Sequence, residues 1–94
     1  MEGNLFDLYQ EKVTKVQKYS KNPDLYLISK LTEETGEVAK EFIRKEDGRG
    51  LQKNLEEELG DILWCITAIA ERNGILLSDI VSTNLKKLKE RNLL

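Results

Sequence analysis

Residues 33–61 read EETGEVAKEFIRKEDGRGLQKNLEEELGD, two acidic clusters on either side of a short break containing Gly48 and Gly50. In the first cluster Glu34 and Glu37 stand at i, i+3; in the second, Glu58 and Asp61 repeat that spacing. Residues three apart are neighbours on one face of a helix, so each pair can offer two carboxylates to one cation. A short break lets two helices fold back antiparallel, and four carboxylates would then meet across one groove. Such a gathering is repulsive unless a cation neutralises it, and all-oxygen donors suit a hard ion such as Mg²⁺, with Mn²⁺ as a possible substitute.

Working outward, helical periodicity predicts four helices and no strand. The second helix spans about 23–45, opened by Pro23, with Leu27, Leu31, Val38 and Phe42 as its apolar stripe. At about 100° per residue Glu34 projects into that stripe, where a merely solvated glutamate would not sit. The third helix runs from about 51 to 72 and stops at Asn73-Gly74. Leu55, Leu59, Ile62, Ile66 and Ile69 form its main apolar side, and residues 62–70 are apolar nearly all round. A helix of that kind needs cover on every side, which points to a second subunit. The first helix occupies about 5–19, with Phe6, Tyr9, Val13 and Val16 on one side, and residues 20–22 break it before Pro23. The fourth occupies about 79–91, with Ser78 as its expected N-cap and Ile80, Val81, Leu85 and Leu88 facing inward. Asn84, Lys87 and Arg91 share another of its sides, at i, i+3 and i+7.

Composition narrows the function. Ninety-four residues make one small all-α domain, 1–94, whose limited burial favours self-association as a dimer or tetramer. A net charge of −2 with both signs interspersed lacks the basic stripe of a nucleic-acid binder. The opening residues lack the basic end and long apolar core of a signal peptide, and residues 62–70 are too short to span a bilayer, so a reducing cytoplasm is the expected location and no membrane partner is expected. Histidine is absent. That removes Ser–His and Cys–His nucleophiles, ordinary histidine-containing zinc sites and the Glu-x-x-His di-iron pattern. The lone Cys65, beside an acidic cluster, reads as a small buried filler rather than a nucleophile. Chemistry is left to carboxylates, amines, hydroxyls or a bound metal.

The bland alternative is that these acids form solvated helix faces, and it accounts well for Glu33, Glu56 and Glu57. It accounts poorly for Glu34 and for the repeated spacing on consecutive helices. For Lys30 it serves, as an i, i+4 partner of Glu34.

The segments Leu31-Thr-Glu-Glu-Thr-Gly-Glu-Val-Ala, Glu57-Glu-Leu-Gly-Asp-Ile-Leu-Trp, Ala70-Glu-Arg-Asn-Gly-Ile and Asn84-Leu-Lys-Lys-Leu-Lys-Glu-Arg together resemble the MazG family of nucleotide pyrophosphohydrolases. That family carries E-E-x-x-E, a gap, then E-x-x-D, matched here by Glu33-Glu34-x-x-Glu37 and Glu58-x-x-Asp61. The resemblance implies a four-helix, oligomeric all-α bundle and Mg²⁺-dependent cleavage of a nucleoside triphosphate to monophosphate and pyrophosphate. It implies Glu34, Glu37, Glu58 and Asp61 as metal ligands; in so crowded an acidic site a carboxylate not fully used by metal, Glu33 or Glu37, is the candidate base. It further implies Asn84, Lys87 and Arg91 as substrate contacts. Phosphoribosyl-ATP pyrophosphatase shares this architecture, and a catalytically silent helical oligomer is the rival from another class.

Overall fold

The computed structural model describes residues 4–15, 23–50 and 54–94. Among them four helices follow one another without a strand: α1 (Leu5–Lys15), α2 (Pro23–Glu46), α3 (Leu55–Arg72) and α4 (Leu77–Glu90). Val16, the expected end of α1 at Tyr19, the break at 20–22 and the expected start of α3 at Leu51 lie outside the described residues.

Local chemistry explains the helix ends. After α2 the chain reverses through Gly48 at φ +78, with the Gly48 N–H donating to Lys45 O at 3.0 Å and the Arg49 N–H to Arg44 O at 2.9 Å. That pair of bonds closes a left-handed C-cap, which glycine adopts without steric penalty. The same device ends α3, with Gly74 at φ +67 and the Ile75 N–H reaching Ala70 O at 2.9 Å. The described part of α3 opens on a side-chain cap. Asn54 is extended, and its Oδ1 accepts from the Glu56 N–H at 2.8 Å and the Glu57 N–H at 3.3 Å, so the side-chain cap fixes the first turn at Leu55.

Helix α4 corrects an expectation. Ser78 lies inside the first turn, and the N-cap is Leu76, which has no capping side chain. The cap comes from another helix. The buried Gln10 of α1 accepts the Leu77 N–H through Oε1 at 2.6 Å. Its Nε2 donates to Ile75 O at 2.9 Å and to Glu71 Oε1 at 3.0 Å. One glutamine therefore ties α1 to the turn between α3 and α4.

Helices α2 and α3 pack antiparallel. Arg72 at the end of α3 donates through Nε to Asp24 Oδ1, at the start of α2, at 2.7 Å. The core is small: Val13, Leu27 and Ala68, with Tyr9, Trp64 and Ile69 packed against them. Helix α1 lies on α3 and α4, and α4 touches α3, whereas α2 and α4 make no contact. Several residues expected inside are at the surface in one protomer. Phe6, Phe42, Leu59, Leu63 and Leu85 are each about half exposed, because the described helices leave nothing to cover those sides. The accessible area is 7197 Å², against about 5,500 Å² for a folded monomer of 10.8 kDa. The radius of gyration is 15.7 Å, where about 12 Å is usual for this length.

Candidate metal centre

Leu27 is fully buried against α3 and sets the rotation of α2. Glu34, seven residues and about two turns later, therefore also faces α3. On α3, Glu58 sits in the acidic first turn, where the positive end of the helix dipole favours carboxylates, and Asp61 follows one turn on. Glu34, Glu58 and Asp61 converge: one carboxylate oxygen from each lies within 4.8 Å of the others. Glu58 is buried, Glu34 half-buried and Asp61 exposed, so the cluster has a closed floor and one open side.

The remaining expected site residues fall elsewhere. Glu37 is half-buried but outside this trio, with its Oε1 4.0 Å from Lys40 Nζ. It lines a neighbouring cleft of about 300 Å³ with Lys40, Glu41, Ile43, Arg44 and Arg49. Glu33 is exposed on α2. Asn84 and Lys87 line a shallow groove on α4 with Ile75, Asp79, Ile80 and Thr83, and Arg91 is the exposed C-cap residue of that helix. That groove shares no residue with the carboxylate trio.

Three groups surround the trio. Lys30 pairs with Glu34 at 3.7 Å, the i, i+4 contact that the sequence predicts. Burial alone pushes the Lys30 ammonium down, but Tyr26, Glu34, Cys65 and Asp61 together outweigh it, and the net shift is upward, which keeps the amine charged. Burial, with Glu34 and Asp61, raises the Cys65 thiol against the opposing pull of Lys30. The thiol stays protonated at neutral pH, consistent with a fully buried filler. The Tyr9 hydroxyl is also raised, by burial first and then by Asp61 and Cys65. Tyr9 thus brings α1 to the rim of the cluster. The sequence places Tyr9 on an apolar side, and only its polar tip hints at a second role.

Residues 23–93 match the MazG nucleotide pyrophosphohydrolase domain. The chain belongs to that family. It is also similar to the Gene 37 protein of Mycobacterium phage L5, 36% identical over 72 residues that cover 70% of this chain and 63% of that protein. The chain thus spans less than two thirds of that relative's length. No solved structure matches it. The MazG match takes in both acidic segments and all of α4. Among the described residues no helix is long and apolar enough to cross a membrane.

The donor set fits the divalent cation that a MazG domain implies. Three hard oxygen donors of like charge stand together, one open to solvent, as an ion that keeps part of its water shell requires.

Proposed function

We propose that this MazG protein hydrolyses a nucleoside or deoxynucleoside triphosphate to the monophosphate and pyrophosphate with Mg²⁺. Glu34, Glu58 and Asp61, joined by Glu37, would hold the ion. The observation that carries this reading is the meeting of Glu34 from one acidic motif with Glu58 and Asp61 from the other. When bound, Mg²⁺ would offset charge on the phosphates and ease ionisation of a water. Glu33 or Glu37 would accept the proton as that water adds to the α-phosphorus. The bond to the bridging oxygen breaks and pyrophosphate leaves. Lys30 keeps Glu34 in place and balances part of the acidic charge.

The basic row of α4 has no α2 wall to face within one protomer. We infer that Asn84, Lys87 and Arg91 bind phosphate or sugar from a neighbouring copy, in a homodimer or homotetramer. The surface excess supports association: it amounts to roughly 1,700 Å² over a folded monomer of this size, and the half-exposed Phe42, Leu59 and Leu63 are apolar. A standard interface buries about 800 Å² per partner, so the excess is ample.

The test is pyrophosphate release from a panel of ribo-, deoxyribo- and damaged triphosphates, with phosphoribosyl-ATP alongside. Release from any nucleoside triphosphate supports the reading, and activity on phosphoribosyl-ATP alone moves the enzyme to that pathway reaction. A folded protein that releases nothing and gains no thermal stability from Mg²⁺ is a silent module.

A further inference from the structure

We propose that Arg44, assisted by Lys40, is a pyrophosphate-binding residue that acts in the same protomer as the carboxylate trio. The inference rests on the triphosphate reading above. The cleft beside Glu37 carries three cations, Lys40, Arg44 and Arg49, and their situations differ. Arg49 Nη2 pairs with Asp47 Oδ2 at 2.9 Å at the surface. Lys40 is largely exposed and sits 4.0 Å from Glu37. Arg44 is half-buried, and among the described residues its Nε is buried with no hydrogen-bond partner. A guanidinium remains charged at any ordinary pH, and a buried donor with no acceptor costs free energy until one arrives. An anion with paired oxygens answers the guanidinium fork best, and phosphate is such an anion.

Position selects which phosphates. Glu37 and Arg44 are seven residues apart on α2, two turns along one face and about 10 Å by helical rise. Side chains on a helix lean toward its N-terminus, so the Arg44 side chain leans back toward Glu37, with which it lines the cleft. A triphosphate whose α-phosphorus lies at the trio would send its terminal phosphates along this strip, away from the nucleoside. The cleft of about 300 Å³ leaves room for them. The α4 cations, which make no contact with α2, leave this end of the groove to Lys40 and Arg44.

The experiment is calorimetric titration of inorganic pyrophosphate, with Mg²⁺ present, into the wild-type chain and the Arg44→Met and Arg44→Lys variants. Inhibition of hydrolysis by pyrophosphate is measured in parallel. Arg44→Met should weaken pyrophosphate binding about tenfold or more, as loss of a charge-assisted contact predicts. Its Mg²⁺-dependent thermal shift should stay at the wild-type value. Arg44→Lys keeps the charge without the fork and should fall between them; should the methionine variant not fold, this variant and Lys40→Gln carry the comparison. Equal pyrophosphate affinity in wild type and variants overturns the assignment, as does a wild-type chain that binds no pyrophosphate. Nucleotide hydrolysis with wild-type pyrophosphate inhibition in Arg44→Met removes the subsite and leaves the activity standing. Arg44-dependent pyrophosphate binding without any nucleotide hydrolysis does the reverse.

Discussion

The α2–α3 pair and helix α4 carry comparable sequence signals, a row of acids on the first and a row of polar and basic groups on the second. The fold treats them differently. A short connection and the Asp24–Arg72 pair hold α2 and α3 antiparallel, so residues 24 positions apart, Glu34 and Glu58, meet inside one protomer. Helix α4 also follows a turn, at Gly74, but Gln10 binds that turn to α1, and α4 makes no contact with α2. Spacing along a helix therefore fixes what shares a face. What the face meets is decided by contacts far away in sequence.

The largest effect should come from breaking the acidic side of this comparison. Glu58→Gln or Asp61→Asn should lower turnover by at least on the order of a thousandfold, about 4 kcal/mol of barrier, because each removes a direct charge from the proposed cation site. Far-UV circular dichroism should remain that of the wild type. Mg²⁺ should stabilise the wild-type chain by about 2.7 kcal/mol at a hundred times its dissociation constant, and either variant should lose most of that. An unchanged metal-dependent melt in both would move the site elsewhere.

The next largest should come from releasing α4. Gln10→Ala leaves the Ile75 carbonyl and the Leu77 N–H without their side-chain partner and should cost about 2–3 kcal/mol in urea unfolding. A cost below about 0.5 kcal/mol, the scale of a neutral surface change, would show that the tie does not anchor the helix.

Lys87→Ala should act more weakly and on substrate alone, raising KM about tenfold with the Mg²⁺ response intact. If α4 serves a neighbouring copy, mixing this variant with Asp61→Asn should give more activity than the two measured separately, since mixed assemblies regain an intact site. Activities that merely add would return Lys87 to its own protomer's cluster.

These two regions also mark what the sequence can and cannot disclose. Four helices, the glycine C-caps and the Lys30–Glu34 pair follow from short-range chemistry and were legible. So was the inward position of Glu34, because an acid within an apolar stripe violates the helical pattern. Glu37 shares that spacing yet lies outside the trio and lines the neighbouring cleft, so spacing alone does not say which acids of a face converge. Gln10 gave no signal, for a polar residue on α1 reveals nothing of the turn 65 residues away. Leu85 and Phe42 read as core from periodicity alone, which cannot tell a core within the protomer from a face awaiting a partner.

The smallest effect tests whether the acidic side depends on where its helix begins. Asn54 caps α3, and the first backbone bond of that helix runs from the Glu58 N–H to Asn54 O at 3.1 Å. Asn54→Ala should cost about 1 kcal/mol of stability. The loss should fall on the first turn, which holds Glu58, while Asp61 one turn further remains anchored by the packing of α3. Mg²⁺ affinity should therefore drop by a few-fold at most, far less than in Glu58→Gln, and Asn54→Ser, which keeps a capping oxygen, should restore it. Melting curves with and without Mg²⁺ separate the two effects. A drop in stability with no change in metal affinity would mean that Glu58 is held by its buried contacts with α2 rather than by the turn it stands on.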